Sequence, residues 1–273
     1  MPTIEVNGAD LYYEEAGSGS ETIVFAHGLL FSGRMFEEQV DALKDRYRCV
    51  TFDFRGQGRS GVTEGGYDMD TLCEDAAGII ERLELVPCHF VGFSMGGFVA
   101  IRLAVNRPDL FKSLVLVDTS ADGEPKENLR KYKLLNMVAR WIGPGAVARH
   151  VMPIMFSQRF LRNPKEMKRR RKLRRQLVAN DRIGVTRAVA GVISRKGVYD
   201  ELDKISVPTL IIVGEHDVAT PPERSERMHA RISESRLLII PDAGHMTPVE
   251  EPERVTAAMK EFLRGPFVKE KGS

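Results

Sequence analysis

The sequence has little cysteine, no long apolar run and no internal repeat, and each absence removes a class of protein. Its 273 residues include three cysteines, Cys49, Cys73 and Cys88. An odd count without a CxxC spacing argues against a disulfide frame or a zinc site. The three read as reduced thiols, and the expected compartment is the cytoplasm. No stretch approaches the roughly 18 to 20 uncharged apolar residues that a membrane span requires. The opening Met1-Pro2-Thr3-Ile4-Glu5-Val6 has no basic segment leading into an apolar run, so no cleaved leader is expected. Neither a membrane nor a nucleic acid is an expected partner.

What remains is an ordinary globular composition. Hydrophobic residues make up 42% and charged residues 29%, enough for a sizeable core. The length suits one large α/β domain with an inserted subdomain. The net charge of +2 hides an asymmetry. Residues 120–200 hold 20 Lys and Arg against 6 Asp and Glu, while the rest of the chain holds 20 against 32.

Hydrophobic periodicity predicts alternating strands and helices. Strands are expected at 4–6, 11–14, 22–26, 48–53, 88–93 and 113–117, then at 209–213 and 236–240. Helices are expected at 35–43, 69–85, 95–105, 221–231 and 251–263. Asn7-Gly8 reads as a hairpin turn. Residues 120–200 lack a convincing strand and carry helical stretches at 128–141 and 165–180, broken at Gly143-Pro144-Gly145 and Pro153. Such alternation implies a mostly parallel sheet with helices on both faces. The polar tail 265–273 is expected to fray.

The strongest chemical signal is Gly92-Phe93-Ser94-Met95-Gly96, a G-x-S-x-G followed by Gly97. It stands between an expected strand and an expected helix. Glycines there allow a sharp turn that lifts the serine hydroxyl clear of the sheet. A serine hydroxyl needs a base. His245, in the loop after the last expected strand, is the candidate among six histidines. The base needs a carboxylate to hold its tautomer. Asp217 is the first choice, with Glu215 and Asp118 as competitors. Acyl transfer also needs amide donors for the oxyanion. The amide of Met95 follows the nucleophile. The second donor is expected from His27-Gly28-Leu29, at the Leu29 amide, with the His27 side chain ordering that loop.

These pieces resemble the α/β-hydrolase superfamily over essentially the whole chain. The matching segments are His27-Gly28, Asp53-Phe54-Arg55-Gly56-Gln57-Gly58-Arg59-Ser60, Gly92 to Gly97, Gly214 to Asp217 and Gly244-His245. Gly-Phe-Ser-Met-Gly-Gly is similar to bacterial aryl esterases with perhydrolase side activity and to lactone hydrolases, including enol-lactone and acyl-homoserine lactone enzymes. The resemblance implies an eight-stranded, mostly parallel sheet flanked by helices. It implies a core domain of 1–119 and 201–273, with 120–200 as a helical cap. It also implies a Ser94, His245, Asp217 triad that cleaves carboxylic esters or lactones without metal or organic cofactor. An aspartate nucleophile, as in haloalkane dehalogenases and epoxide hydrolases, is excluded by Ser94. Phe31, Trp141 and Met155 are the expected substrate contacts, with Met137, Met152 and Phe156 as further candidates. The run Lys168-Arg169-Arg170-Arg171-Lys172, with Arg174 and Arg175, reads as a solvated helix face or a dock for an acidic partner, such as an acyl carrier. A ligand receptor on the same fold is the remaining alternative.

Overall fold

A computed structural model describes residues 2–265. The tail expected to fray lies outside the described residues from 266 onward. The sheet has eight strands: β1 (Thr3–Val6), β2 (Ala9–Ala16), β3 (Thr22–Ala26), β4 (Arg48–Phe52), β5 (Cys88–Phe93), β6 (Phe111–Val117), β7 (Thr209–Gly214) and β8 (Ser235–Ile240). Their order is β1-β2-β4-β3-β5-β6-β7-β8. The first two pairings, β1 with β2 and β2 with β4, are antiparallel, and all others are parallel. The β1–β2 hairpin turns on two residues, Asn7 at φ 48° and Gly8 at φ 67°. Positive φ at both positions matches the twist of the flanking strands.

Every residue of β5 and β7 is buried. Parallel strands covered on both faces read as unbroken apolar runs for this reason. Helix α1 (Glu37–Leu43) packs on one face, and α2 (Met69–Arg82) and α3 (Met95–Asn106) cover the other. In α2, Asp68 caps the N-terminus by accepting from the Thr71 amide, and Leu72, Ala76, Ile79 and Ile80 form the buried stripe. Helix α3 has no polar side, because its residues 95–104 are all buried.

Between β6 and β7 the chain forms five helices: α4 (Lys126–Trp141), α5 (Pro144–Met155), α6 (Gln158–Arg162), α7 (Met167–Val178) and α8 (Arg182–Ile193). Helices α5, α6 and α8 escaped the sequence expectation. Pro153 is not a break, since it lies inside the last turn of α5. Pro144 opens that helix, where its missing N–H costs nothing. After β7 come α9 (Pro222–Arg231), then β8, α10 (Thr247–Glu250) and α11 (Pro252–Arg264).

The loop after β4 is pinned to α2 by a buried ion pair. Arg55 Nε and Nη2 donate to Asp75 Oδ2 and Oδ1 at 2.6 and 2.5 Å, with both side chains almost fully buried. Asn7 of the first hairpin donates to the same carboxylate at 3.1 Å. Cys49, Cys73 and Cys88 are free and buried, and burial pushes each thiol up to about 12. Replacing Asp75 by Ala leaves a buried, unpaired guanidinium. The expected loss in urea unfolding is about 3–5 kcal/mol. A loss below ~1 kcal/mol would show that the pair does not anchor the loop.

Candidate active site

The candidate residues gather at the C-terminal ends of the parallel strands. Ser94 follows β5, at φ 49° and ψ −110°. Three glycines make that turn possible. A Cβ on Gly92 would sit 2.5 Å from the Gly96 carbonyl oxygen, and one on Gly96 2.1 Å from that of Ala26. One on Gly97 would sit 2.4 Å from Thr119 Oγ1. The turn is stitched to its neighbours: Ser94 N–H donates to Val117 O, and Thr119 Oγ1 donates to Ser94 O.

His245 Nε2 lies 2.9 Å from Ser94 Oγ, and His245 Nδ1 lies 2.8 Å from Asp217 Oδ2. All three residues are buried. The Asp217 carboxylate is fully engaged. Its Oδ1 accepts from the Ala219 and Thr220 amides, and its Oδ2 accepts from Thr220 Oγ1. Neither Glu215 nor Asp118 hydrogen-bonds the imidazole. Glu215 is exposed and accepts from the Asp242 amide. Asp118 is buried and accepts from Gly214 N–H, Thr247 N–H and Thr247 Oγ1. It holds the loops bearing Asp217 and His245 together instead of touching the imidazole. Burial, with Asp217 next to it, pushes the Asp118 carboxyl well above the usual range.

The loop after β3 supplies the other amide. A turn closes from Phe31 N–H to Gly28 O at 3.4 Å, with Leu30 at φ 74° in its third position, where a type II turn needs positive φ. Among the described residues the Leu29 amide has no hydrogen-bond partner. The Met95 amide heads α3 and has no carbonyl one turn back in its helix. Gln57 spans both pieces: its Oε1 accepts from Leu30 N–H at 2.9 Å, and its Nε2 lies 3.8 Å from Met95 Sδ. His27 orders the same loop. Its Nε2 accepts from Phe54 N–H at 2.9 Å, and its Nδ1 donates to Gly28 O at 2.7 Å.

With that geometry in place, a family model for the alpha/beta hydrolase fold matches residues 21–252. The chain belongs to the α/β-hydrolase fold family. Among the members it resembles is a thermophilic esterase from Thermogutta terrifontis, 32% identical, covering 97% of this chain and 98% of that one, at a TM-score of 0.89. The enol-lactonase from Burkholderia xenovorans is 28% identical, covers 97% of this chain and 100% of that one, and superposes with a TM-score of 0.90. The 3-oxoadipate enol-lactonase 1 of Acinetobacter baylyi is 29% identical over 96% of this chain and 92% of its own.

In this α/β-hydrolase, Ser94 and His245 line a cavity of about 150 Å³. Its walls come from Leu29 and Leu30, from Tyr132, Leu135 and Asn136 of α4, from Val147, Val151 and Met155 of α5, and from α8. Met155, one of the expected substrate contacts, lies on this wall. Two other expected contacts need correction. Phe31 is 3% exposed and packs into the apolar cluster on the α1 face, because the Leu30 turn sends it away from Ser94. Trp141 is 78% exposed, because α4 turns its other side inward. Met137, Met152 and Phe156 do not line the cavity either. The α5 wall was legible in the 3- and 4-residue spacing of Pro144, Val147, Val151 and Met155, once a helix is allowed to carry Pro153. A polar corner went unforeseen. Arg195 pairs with Glu124 at 3.0 Å and lies 4.0 Å over the Phe98 ring, and Asn136 Oδ1 is buried without a partner. Nothing in the local sequence marks it.

Burial lowers the His27 pKa from its ordinary 6.5, so the folded chain keeps this imidazole neutral. As the pH falls below about 6.5, the unfolded chain takes up a proton there that the folded chain refuses. The stability tied to His27 is therefore present above that pH and drains away below it. His89, also lowered by burial, acts in the same direction. The comparison with His27→Gln isolates the first term. Urea midpoints of the variant between roughly pH 7 and 5 are expected to vary less than those of the parent chain. Identical slopes would contradict the assignment.

Proposed function

We propose that the chain hydrolyses carboxylic esters or lactones through Ser94, His245 and Asp217, by way of an acyl-enzyme. The observation that carries this reading is the hydrogen-bonded path from Asp217 through His245 to a serine hydroxyl on an apolar cavity. The esterase and the enol-lactonases among its relatives support the same bond classes.

Ser94 Oγ attacks the substrate carbonyl carbon while His245 Nε2 takes its proton. Asp217 keeps the other proton on Nδ1 and stabilises the imidazolium that forms. The carbonyl oxygen becomes an oxyanion between the Leu29 and Met95 amides, with the N-terminus of α3 favouring the negative charge. The C–O bond breaks, and the leaving alkoxide takes the proton from His245. In a lactone that alcohol stays attached to the acyl chain. Water then attacks the acyl-enzyme, with His245 again as base, and the carboxylic acid departs.

Residues 1–119 and 201–273 serve as the catalytic core and 120–200 as its cap. The cap supplies most of the apolar wall, so it sets the acyl preference. A volume of about 150 Å³ is the size that accepts a benzene-sized guest. This favours a small ring or a short acyl group over a long chain.

Ser94→Ala is expected to lower kcat by at least about 10⁴-fold with an unchanged melting temperature. Asp217→Asn should cost a similar factor by presenting the wrong hydrogen-bonding partner to Nδ1. Asp118→Asn, which makes no contact with His245, should cost far less. Equal losses at 118 and 217 would overturn the assignment of the acid. A panel of p-nitrophenyl esters of increasing length, an aliphatic lactone and an acyl-homoserine lactone then separates the substrates. A rate that peaks on long-chain esters would overturn the small-acyl reading.

A further inference from the structure

Helix α4 has two apolar faces. Tyr132, Leu135, Asn136 and Ala139 look into the cavity. Leu134, Met137 and Trp141 follow one another at three- and four-residue intervals on the opposite side. They are 56%, 52% and 78% exposed, and Ile142 beyond them is 74% exposed. A surface helix ordinarily gives that side to polar residues. Clustered exposure of large apolar side chains marks an interaction surface.

Arg130 and Lys133 lie beside the ridge on α4, and α7, which packs on α5, carries the exposed Arg174 and Arg175. Val178 ends α7 next to the α4–α5 turn, within 3.6 Å of where a Gly145 Cβ would stand. Among the described residues none of these four cations makes an ion pair. Elsewhere on α7, Arg169 and Lys172 pair with Glu38 and Glu37 of α1. The basic run is thus divided between charges paired with the α1 carboxylates and charges without an ion pair.

We propose that this face docks the protein on an anionic lipid surface. Trp141, Ile142, Met137 and Leu134 enter the boundary between headgroups and acyl chains, and the free arginines and lysines meet lipid phosphates. Single side chains this far exposed fit a deformable apolar phase. Apolar residues including tryptophan, flanked by lysine and arginine, are what surface-lying helices present to anionic membranes. The expectation of no membrane partner rested on the lack of a spanning run. No described helix is long and apolar enough to cross a bilayer, and a surface contact needs none. The proposal is independent of the ester chemistry, since its readout requires no turnover.

Trp141 is the single tryptophan of the chain, so its emission reports on this face alone. The full chain is titrated with phosphatidylcholine vesicles, with and without phosphatidylglycerol, and followed by emission and co-sedimentation. The expected result is a blue shift and sedimentation with the anionic vesicles. Binding should weaken at ~1 M salt, where the screening length is about 3 Å. The double variant Leu134→Ser, Met137→Ser keeps the reporter. It should partition at least about tenfold less, with hydrolysis of a soluble ester unchanged. No shift and no sedimentation with either vesicle would overturn the proposal, as would undiminished binding of the double variant. A lipid-free blue shift that grows with protein concentration would assign the face to a second copy. Salt-sensitive capture on polyglutamate, with no response to vesicles, would assign it to an acidic polypeptide. Both of those outcomes overturn it too.

Discussion

A serine held at φ 49° and ψ −110° is strained, and it stays there because three backbones press together around it. Gly92 leaves no room for a Cβ against the start of α3, Gly96 leaves none against β3, and Gly97 leaves none against Thr119 after β6. The Gly96 amide donates to His27 O, and the Ser94 amide donates to Val117 O. Ser94, the loop after β3 and the end of β6 are therefore one hydrogen-bonded body. The hydroxyl is positioned by that body and not by its own rotamer alone. Everything else in the site is placed relative to it.

The topology explains why the amide donors can flank that hydroxyl. After β3 the chain moves outward to β4 and then returns to the other side of β3 as β5. The strand order reverses between β3 and β5, and a crevice opens there at the strands' C-terminal ends. The Leu29 loop leaves one side of the crevice and Ser94-Met95 the other. Gln57 reaches across with a bond to Leu30 N–H and a contact to Met95 Sδ, and Arg55, two residues before it, is locked on Asp75. Asp118 does the matching work at the far side, tying Gly214 to Thr247. Glu250 extends it, accepting from Gly244 beside His245 and from Ser157 of the inserted helices. Side chains that do not touch Ser94 or His245 thus fix the spacing of the loops that carry them.

Much of this was legible in the sequence where one residue type answers one local demand. Gly-x-Ser-x-Gly between an apolar run and a helix could hardly be anything but a strained turn, and Gly244-His245 follows the last strand at the C-terminal edge of the sheet. The family resemblance held on the same segments. The cavity was another matter. Phe31 and Trp141 are large and apolar in the right segments, yet a positive φ at Leu30 turns the first away and the phase of α4 turns out the second. Helix phase relative to a cavity depends on packing partners, and both sides of α4 look apolar in sequence. Helix α5 was lost for a local reason, because Pro153 reads as a break until its place near the helix end is known. Asp118 illustrates the converse. Its position at a strand end made it a plausible acid, and only the bonds to Gly214 and Thr247 reveal a different task.

The charge asymmetry takes its meaning from how the inserted helices meet the core. Residues 120–200 carry 20 basic against 6 acidic groups, and the rest of the sequence carries 20 against 32. Long-range attraction favours that arrangement, but the individual contacts are mostly exposed. Lys172 and Glu37 are each 61% exposed, and such pairs contribute little. What closes the cavity is apolar: Val147, Met155, Phe160, Leu173 and Leu177 join the same buried cluster as Phe25, Phe36 and Val91 of the core. Leu173 and Leu177 belong to the very helix that bears the basic run. Salt therefore acts on the two sides of that helix differently, screening the outward cations while leaving the buried side in place. Inserted helices held by packing can present an unpaired, cationic outer surface without loosening the cavity beneath them.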